Sequence, residues 1–291
     1  LVTTAAARGL DVDLPILGAA LERAGTQFHL CDWDDPVVDW SSYDAVFLRS
    51  PWDYPVRRTE FVDWLRSVDR LTRLFNPVDV VTWNIDKTYL AELSLAGVPV
   101  IDTRFVDVVD ASALRDVLDE LGNDIVVKPS VSNGANNAAR YRDAASDLDE
   151  VARHVARIAT TGSTAMVQAY QTGIDASGET GIVWLNGEFS HAFRKGPILH
   201  EEPDMGNGLF AAEDITARRP SAAEMAVGEQ VMAFLRQKFG VAPLYARVDV
   251  IPDSSGVPQM MELELVEPSM FLACAPGADD RVADAFLRAR G

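Results

Sequence analysis

The chain has 291 residues, with 44 acidic against 26 basic side chains and a formal net charge of −18. That length allows one large or two to three modest domains with an ample core, and the charge opposes nucleic acid or an acidic membrane as a partner, since both demand basic patches. No run of 18 apolar residues or signal peptide is visible, and Cys31 and Cys274 lack paired spacing, so a soluble, cytoplasmic protein with reduced thiols is expected.

The first eighty residues alternate strand and helix: LVTT, a helix from about Asp13 to Ala24, QFHLC, YDAVFLR, then a helix across RRTEFVDWLRSV. Such alternation predicts a parallel α/β sheet. The chain opens on Leu1 rather than Met, and the first half of the opening strand is expected to precede it. A helix from about Asp86 to Ala96 follows, then VPVIDTRFV, a helix over 111–121, DIVVKPS and AARY. After a helix over 144–159 the strands AMVQAY, GIVWL and EFSHAFRK turn antiparallel in flavour. A loop over 196–212, a helix over 221–239, a hairpin and a last helix from 279 complete the chain. Three units are expected: α/β over 1–82, a small α+β unit over 83–165, and an antiparallel sheet over 166–291.

The hairpin carries the strongest chemical signal. In YARVDVI, Arg247 and Asp249 share one strand face, and in MMELELVEPS so do Glu262 and Glu264, while Met261, Leu263 and Leu265 take the other. A solvated face is one explanation. If the two charged faces coincide, however, two carboxylates at ~5 Å and an effective dielectric of ~20 repel by roughly 3 kcal/mol. A positive partner is then required, and oxygen donors without His or Cys favour Mg²⁺ or Mn²⁺.

Cations occur at places where an anion can reach them. Lys87 opens a helix in WNIDKTYL, though a surface lysine would look the same. Lys128 ends the apolar strand IVVKPS, and Arg194 and Lys195 end another before a loop rich in Gly, Pro and acid, GPILHEEPDMGNG. A loop of that kind suits a lid. The small polar stretch SVSNGANN offers amides to an anion or forms an ordinary hairpin loop. His191 and His200 lack metal spacing. Several placed cations and a hard metal are what a nucleoside triphosphate needs.

In this order the parts resemble the ATP-grasp superfamily over nearly the whole chain, with D-alanine–D-alanine ligases among the relatives. NIDKTYLAELSLAGVPVIDT resembles the helix with an Asp-Lys start, and DIVVKPS the strand whose lysine holds the α- and β-phosphates. The resemblance implies ATP with Mg²⁺ (or Mn²⁺) as cofactors. It places Lys87, Lys128, Ser130, Ser132, Asn133, Gln168, Tyr170, Glu179 and Lys195 around the nucleotide, Gln168 and Tyr170 at the adenine hinge and Glu179 on the ribose side. Asp249, Glu262 and Glu264 are implied metal ligands, with Glu267 a further candidate, and Arg247, Lys195 and Arg194 catalytic. Glu264 stands where relatives commonly carry Asn, and the loop over 130–137 is poorer in glycine than the family cradle.

FLRSPWDYPVRRTEFVDWL, LFNP, SHAFRK and ELELVEPSMFL look most like the O-ureido-serine cyclo-ligases of D-cycloserine biosynthesis. That likeness implies a small amino-acid-like substrate whose carboxylate is phosphorylated and attacked from within. Arg49, Ser50, Asp53 and Tyr54, at the end of a parallel strand, and Ser269 are the expected substrate contacts; capping explains the first four equally well. The rivals are an intermolecular ligase joining an amino acid to an amine and a non-catalytic nucleotide-binding regulator.

Overall fold

The computed structural model describes residues 1–107, 111–134, 136–196 and 214–290. The expected lid, apart from Gly196, and His200 lie outside the described residues. In the first unit, β1 (Val2–Thr3), α1 (Leu14–Arg23), β2 (Cys31–Asp32), β3 (Ala45–Ser50), α2 (Arg58–Asp69) and β4 (Arg73–Phe75) build a parallel sheet in the order β2-β1-β3-β4. Helix spacing puts Leu17, Ala20 and Leu21 of α1 and Phe61, Leu65 and Val68 of α2 into its core. The strand expected over QFHLC shrinks to Cys31–Asp32, the part that runs beside Val2 and Thr3. α3 (Val78–Asn84) follows, an element its short apolar run did not announce.

The second unit comprises α4 (Tyr89–Leu95), β5 (Thr103–Val106), α5 (Ala111–Leu121), β6 (Ile125–Pro129), β7 (Ala139–Tyr141), α6 (Leu148–Ala159) and β8 (Ala165–Ala169). Its antiparallel sheet runs β5-β8-β6-β7. Because β8 pairs with both β5 and β6, this sheet continues past residue 165, where the sequence reading divides the chain.

In the third unit α7 (Gly173–Ser177) precedes β9 (Glu179–Leu185), β10 (Glu188–Lys195), β11 (Ile215–Ala217), α8 (Ala222–Phe239), β12 (Tyr245–Pro252), β13 (Pro258–Glu264) and α9 (Ala278–Arg290). The strands form an antiparallel sheet in the order β11-β10-β9-β12-β13. A capping box between Ser221 and Glu224 starts α8, and Gly240, at φ 74°, ends it. One face of the sheet buries Ala246, Val248, Val250, Leu263 and Leu265 with α8 and α4. α9 returns to the first unit, where Phe286 stacks on Phe47 with ring centroids 4.3 Å apart. Among the described residues no helix is long and apolar enough to cross a membrane.

β13 is an edge strand, and its open hydrogen bonds are closed by side chains from the chain's first hundred residues. Asn84 donates Nδ2 to the Leu263 carbonyl at 2.8 Å and accepts the Leu265 amide at 2.7 Å; the Tyr89 hydroxyl also bonds Leu263 on both sides, each at 2.9 Å. Asn76 adds a bond to the Leu265 carbonyl at 2.8 Å. These buried groups take the place of a further strand, so the backbone that carries Glu262 and Glu264 is held in one position. Asn84→Ala strands the Leu265 amide and is expected to cost about 2 kcal/mol of stability. A urea titration reads it; a midpoint equal to the parent's would show that water replaces the clamp.

Candidate active site

The hairpin register puts Arg247 opposite Glu264 and Asp249 opposite Glu262, so the two charged faces coincide. A register shift follows, with Val250 opposite Met260, and Met261 is the extra residue. The bulge sends Met260 into the core and leaves Met261 on the cleft wall, whereas strict alternation predicts Met261 on the apolar face.

The charged side chains interlock. The Arg247 guanidinium donates Nε and Nη2 to Asp249 at 2.8 and 2.7 Å, Nη2 to Glu264, and Nη1 to the Ser269 carbonyl at 3.0 Å. Lys195, at the end of β10, donates Nζ to Asp249 at 2.9 Å and meets Glu179. Lys87, in the turn before α4, reaches the Ser132 carbonyl at 2.5 Å and Glu262 at 3.3 Å. Lys128, near the end of β6, lines the same cleft.

Burial and charge divide the acids into two groups. Asp249 is fully buried, but Arg247 and then Lys195 outweigh that burial and hold its carboxyl well below the usual range. Burial likewise opposes Glu262, and Lys87 and Lys128 outweigh it, so its carboxyl is also held low. Glu264 goes the other way: burial pushes it up to about 7 despite Arg247, with Asp249 and Glu262 adding to the rise. Burial carries Glu179 to about 8 against the pull of Lys195, and carries Glu267 to about 8 with help from Glu264. Lys128 is pulled below the usual lysine range by burial, Glu262 opposing and Lys87 assisting.

The apolar end of the cleft lies between the two antiparallel sheets, where Ile101, Val126, Ala169, Ile174, Ile251 and Met261 line a slot beside Gln168 and Tyr170. Gln168 donates Nε2 to Thr103 at 2.8 Å, and the Tyr170 ring lies under the Arg140 guanidinium at 3.2 Å. Ser132 and Asn133 line the cleft, Asn133 donating Nδ2 to the Trp52 carbonyl at 2.7 Å.

Several expected residues stand elsewhere. Arg49 is 1% exposed and ion-paired to Asp11 at 3.2 Å, and Ser50 is buried with its hydroxyl 2.8 Å from that of Thr3. Asp53 accepts the Trp33 indole at 2.8 Å and Arg57 at 3.2 Å. None of these three is among the residues that line the cleft, although Arg49 also donates to the Pro268 carbonyl behind its wall, and Tyr54, also buried, stands beside Glu267. Ser130 hydrogen-bonds the backbone at Thr164 and leaves the cleft wall to Ser132. Arg194 alternates away from Lys195 and donates to the Ser177 carbonyl at 2.8 Å. Glu179, expected beside a ribose, is drawn into the ionic cluster by Lys195. Ser269 is on the cleft wall as expected.

Among the described residues no three acids, imidazoles or thiols converge as a metal-binding group. The expected trio shares one face without sharing one point, because Arg247 and Lys195 turn Asp249 away. Glu262 and Glu264, with side chains 23% and 26% exposed, remain open to the cleft. Hard oxygen donors open to the cleft within an acid-rich cluster fit a divalent cation such as Mg²⁺.

Two antiparallel sheets closing on a cleft of lysines, one arginine and acids, beside a parallel α/β unit, make up the ATP-grasp fold of ATP-dependent ligases. D-alanine–D-alanine ligase from Bacillus anthracis, solved with ATP, shares that fold at a TM-score of 0.68 and 15% identity, over 99% of this chain and 97% of that one. Residues 1–76 match the N-terminal domain of D-cycloserine synthetase DcsG. The cycloserine biosynthesis protein DcsG of Streptomyces lavendulae is 36% identical over 292 residues, covering 98% of this chain and 96% of its own. The crystal structure of D-cycloserine synthetase DcsG superposes at a TM-score of 0.92 with 34% identity, over 100% of this chain and 98% of that one. The chain belongs to the DcsG family, and it is an ATP-dependent ligase.

Proposed function

We propose that the chain cyclises O-ureido-D-serine to D-cycloserine. ATP phosphorylates the carboxylate to an acyl phosphate, releasing ADP. The ureido nitrogen bonded to oxygen then attacks the acyl carbon, closing a five-membered isoxazolidinone ring and expelling phosphate. One water hydrolyses the carbamoyl group left on the ring nitrogen, giving CO₂ and ammonia. The observation that carries this reading is the meeting of Lys87, Lys128, Lys195 and Arg247 with Glu262 and Glu264 in one cleft of a DcsG-family chain.

Each group has a part in it. The apolar slot beside Gln168 and Tyr170 suits an adenine ring, and Lys87 and Lys128, with Ser132 and Asn133, suit the phosphates. Lys195 and Arg247 neutralise the phosphoryl group in flight while Asp249 keeps both aimed. Glu262 and Glu264 would hold Mg²⁺, which when bound supplies further charge neutralisation at the phosphates. Internal attack gains an effective molarity of ~10⁵ M or more when oriented, so no second amino-acid site is needed.

The test supplies O-ureido-D-serine, Mg²⁺ and ATP to the purified protein and follows ADP, ammonia and product mass. One ADP per ring is expected without an added amine. ADP that appears only after a second amino acid is added would replace cyclisation with intermolecular ligation.

A further inference from the structure

Five acids belong to the cleft, and four of them face a lysine or arginine: Asp249 and Glu264 face Arg247, Glu179 faces Lys195, and Glu262 faces Lys87. Glu267 differs. It lines the cleft, it is 8% exposed, and no described lysine or arginine stands within ion-pair distance of it. Its surroundings are the like-charged Glu264, the ammonium of Lys87, which lies beyond ion-pair distance, and the Tyr54 hydroxyl. A carboxylate so enclosed is costly unless a cation joins it.

Its position is built rather than incidental. The carbonyl after it, of Pro268, accepts Arg49 Nη1 at 3.1 Å, and that of Ser269 accepts Arg247 Nη1 at 3.0 Å. Asp13 accepts the amides of Met270, Phe271 and Leu272 at 2.6, 3.0 and 2.7 Å. Buried side chains, Arg49 among them, thus pin the segment that presents Glu267. Met261, Glu262, Glu264, Glu267 and Ser269 all line this one cleft, in that order along the chain. In the ligase reading Arg247 neutralises the phosphoryl group in flight, so the substrate carboxylate that receives it lies beside this guanidinium. The α-amine of an amino acid sits one carbon from that carboxylate, and so falls within a few ångströms of the same guanidinium.

We propose that Glu267 accepts the α-ammonium of the amino-acid substrate and is the residue that selects an amine-bearing carboxylate. This rests on the ligase reading above and deepens it. An ammonium has three donors, enough to engage the carboxylate and still bond water or substrate, and it supplies the direct ion pair that Glu267 lacks among the described residues.

The experiment compares wild type with Glu267→Gln, which keeps shape and removes charge. ADP release is measured with O-ureido-D-serine, with its deaminated counterpart, and with a panel of other amino acids each paired to its deaminated form. Wild type is expected to prefer the amine-bearing member by at least ~100-fold in kcat/KM, and Glu267→Gln to collapse that preference to within ~3-fold, the loss falling mainly in KM. ATP affinity by calorimetry is expected to stay within ~2-fold, and Glu267→Asp to recover part of the preference. Equal losses on both members of a pair would overturn the assignment, because Glu267 would then serve the chain or a metal. If the preferred pair is another amino acid, cyclisation fails and the role of Glu267 stands. No turnover of any amine-bearing carboxylate would overturn both.

Discussion

Replacing Arg247 by methionine is expected to lower turnover by at least about 10³-fold, the scale seen when a preorganised donor to developing charge is removed. The guanidinium makes contacts with Asp249, Glu264 and the Ser269 carbonyl, so its loss acts on the chain as well as on the reaction. Asp249, fully buried, would keep Lys195 alone. Breaking a buried pair from one side costs about 3–5 kcal/mol, and a fall in Tm should accompany the loss of activity. Arg247→Lys separates the two effects. A lysine restores the charge but cannot make the forked contact with Asp249 that Nε and Nη2 make together. It is therefore expected to recover most of the Tm and to leave turnover at least about 10²-fold down. Full activity in Arg247→Lys would reduce Arg247 to a counter-charge.

What was legible in the sequence is what depends on local period and spacing. The hairpin over 245–264 shows its two faces in the alternation of Arg247, Asp249, Glu262 and Glu264 with apolar residues, and the structure pairs those faces directly. The bulge at Met261 was not legible, since one extra residue leaves a two-residue period intact on either side. Arg49 and Ser50 fall outside the cleft lining for another reason. A charged or polar side chain ending a parallel strand points equally to a ligand or to buried partners, and the partners here, Asp11 and Thr3, carry no local signal. Asn76, Asn84 and Tyr89 were missed as positioning groups because their partners lie about 170 residues or more away in the chain. Arg194 and Lys195 are adjacent in sequence, yet strand alternation sends only one of them to Asp249.

Changing Glu262 to glutamine is expected to move ATP binding in opposite directions with and without metal. Glu262 lies by Lys87, at 3.3 Å, and Lys128 is the next cation to lower its pKa. In the parent those lysines are partly neutralised by Glu262 before any phosphate arrives. Removing its charge without changing its shape frees them for the nucleotide, so ATP alone, in the presence of a chelator, should bind as well as or better than to the parent. With Mg²⁺ the order reverses, because the variant lacks a hard oxygen ligand that only a charged carboxylate supplies well. A loss of at least ~10-fold in Mg·ATP affinity is expected, about 1.4 kcal/mol, with turnover abolished. The fold should hold, since Glu262 is less buried than Asp249 and Lys87 keeps its bond to the Ser132 carbonyl. Calorimetry with ATP, with and without Mg²⁺, reads both arms. A parallel loss of affinity in both would mean that Glu262 orders the cleft rather than holding a metal, and Mg·ATP affinity and turnover equal to the parent's would remove it from the site.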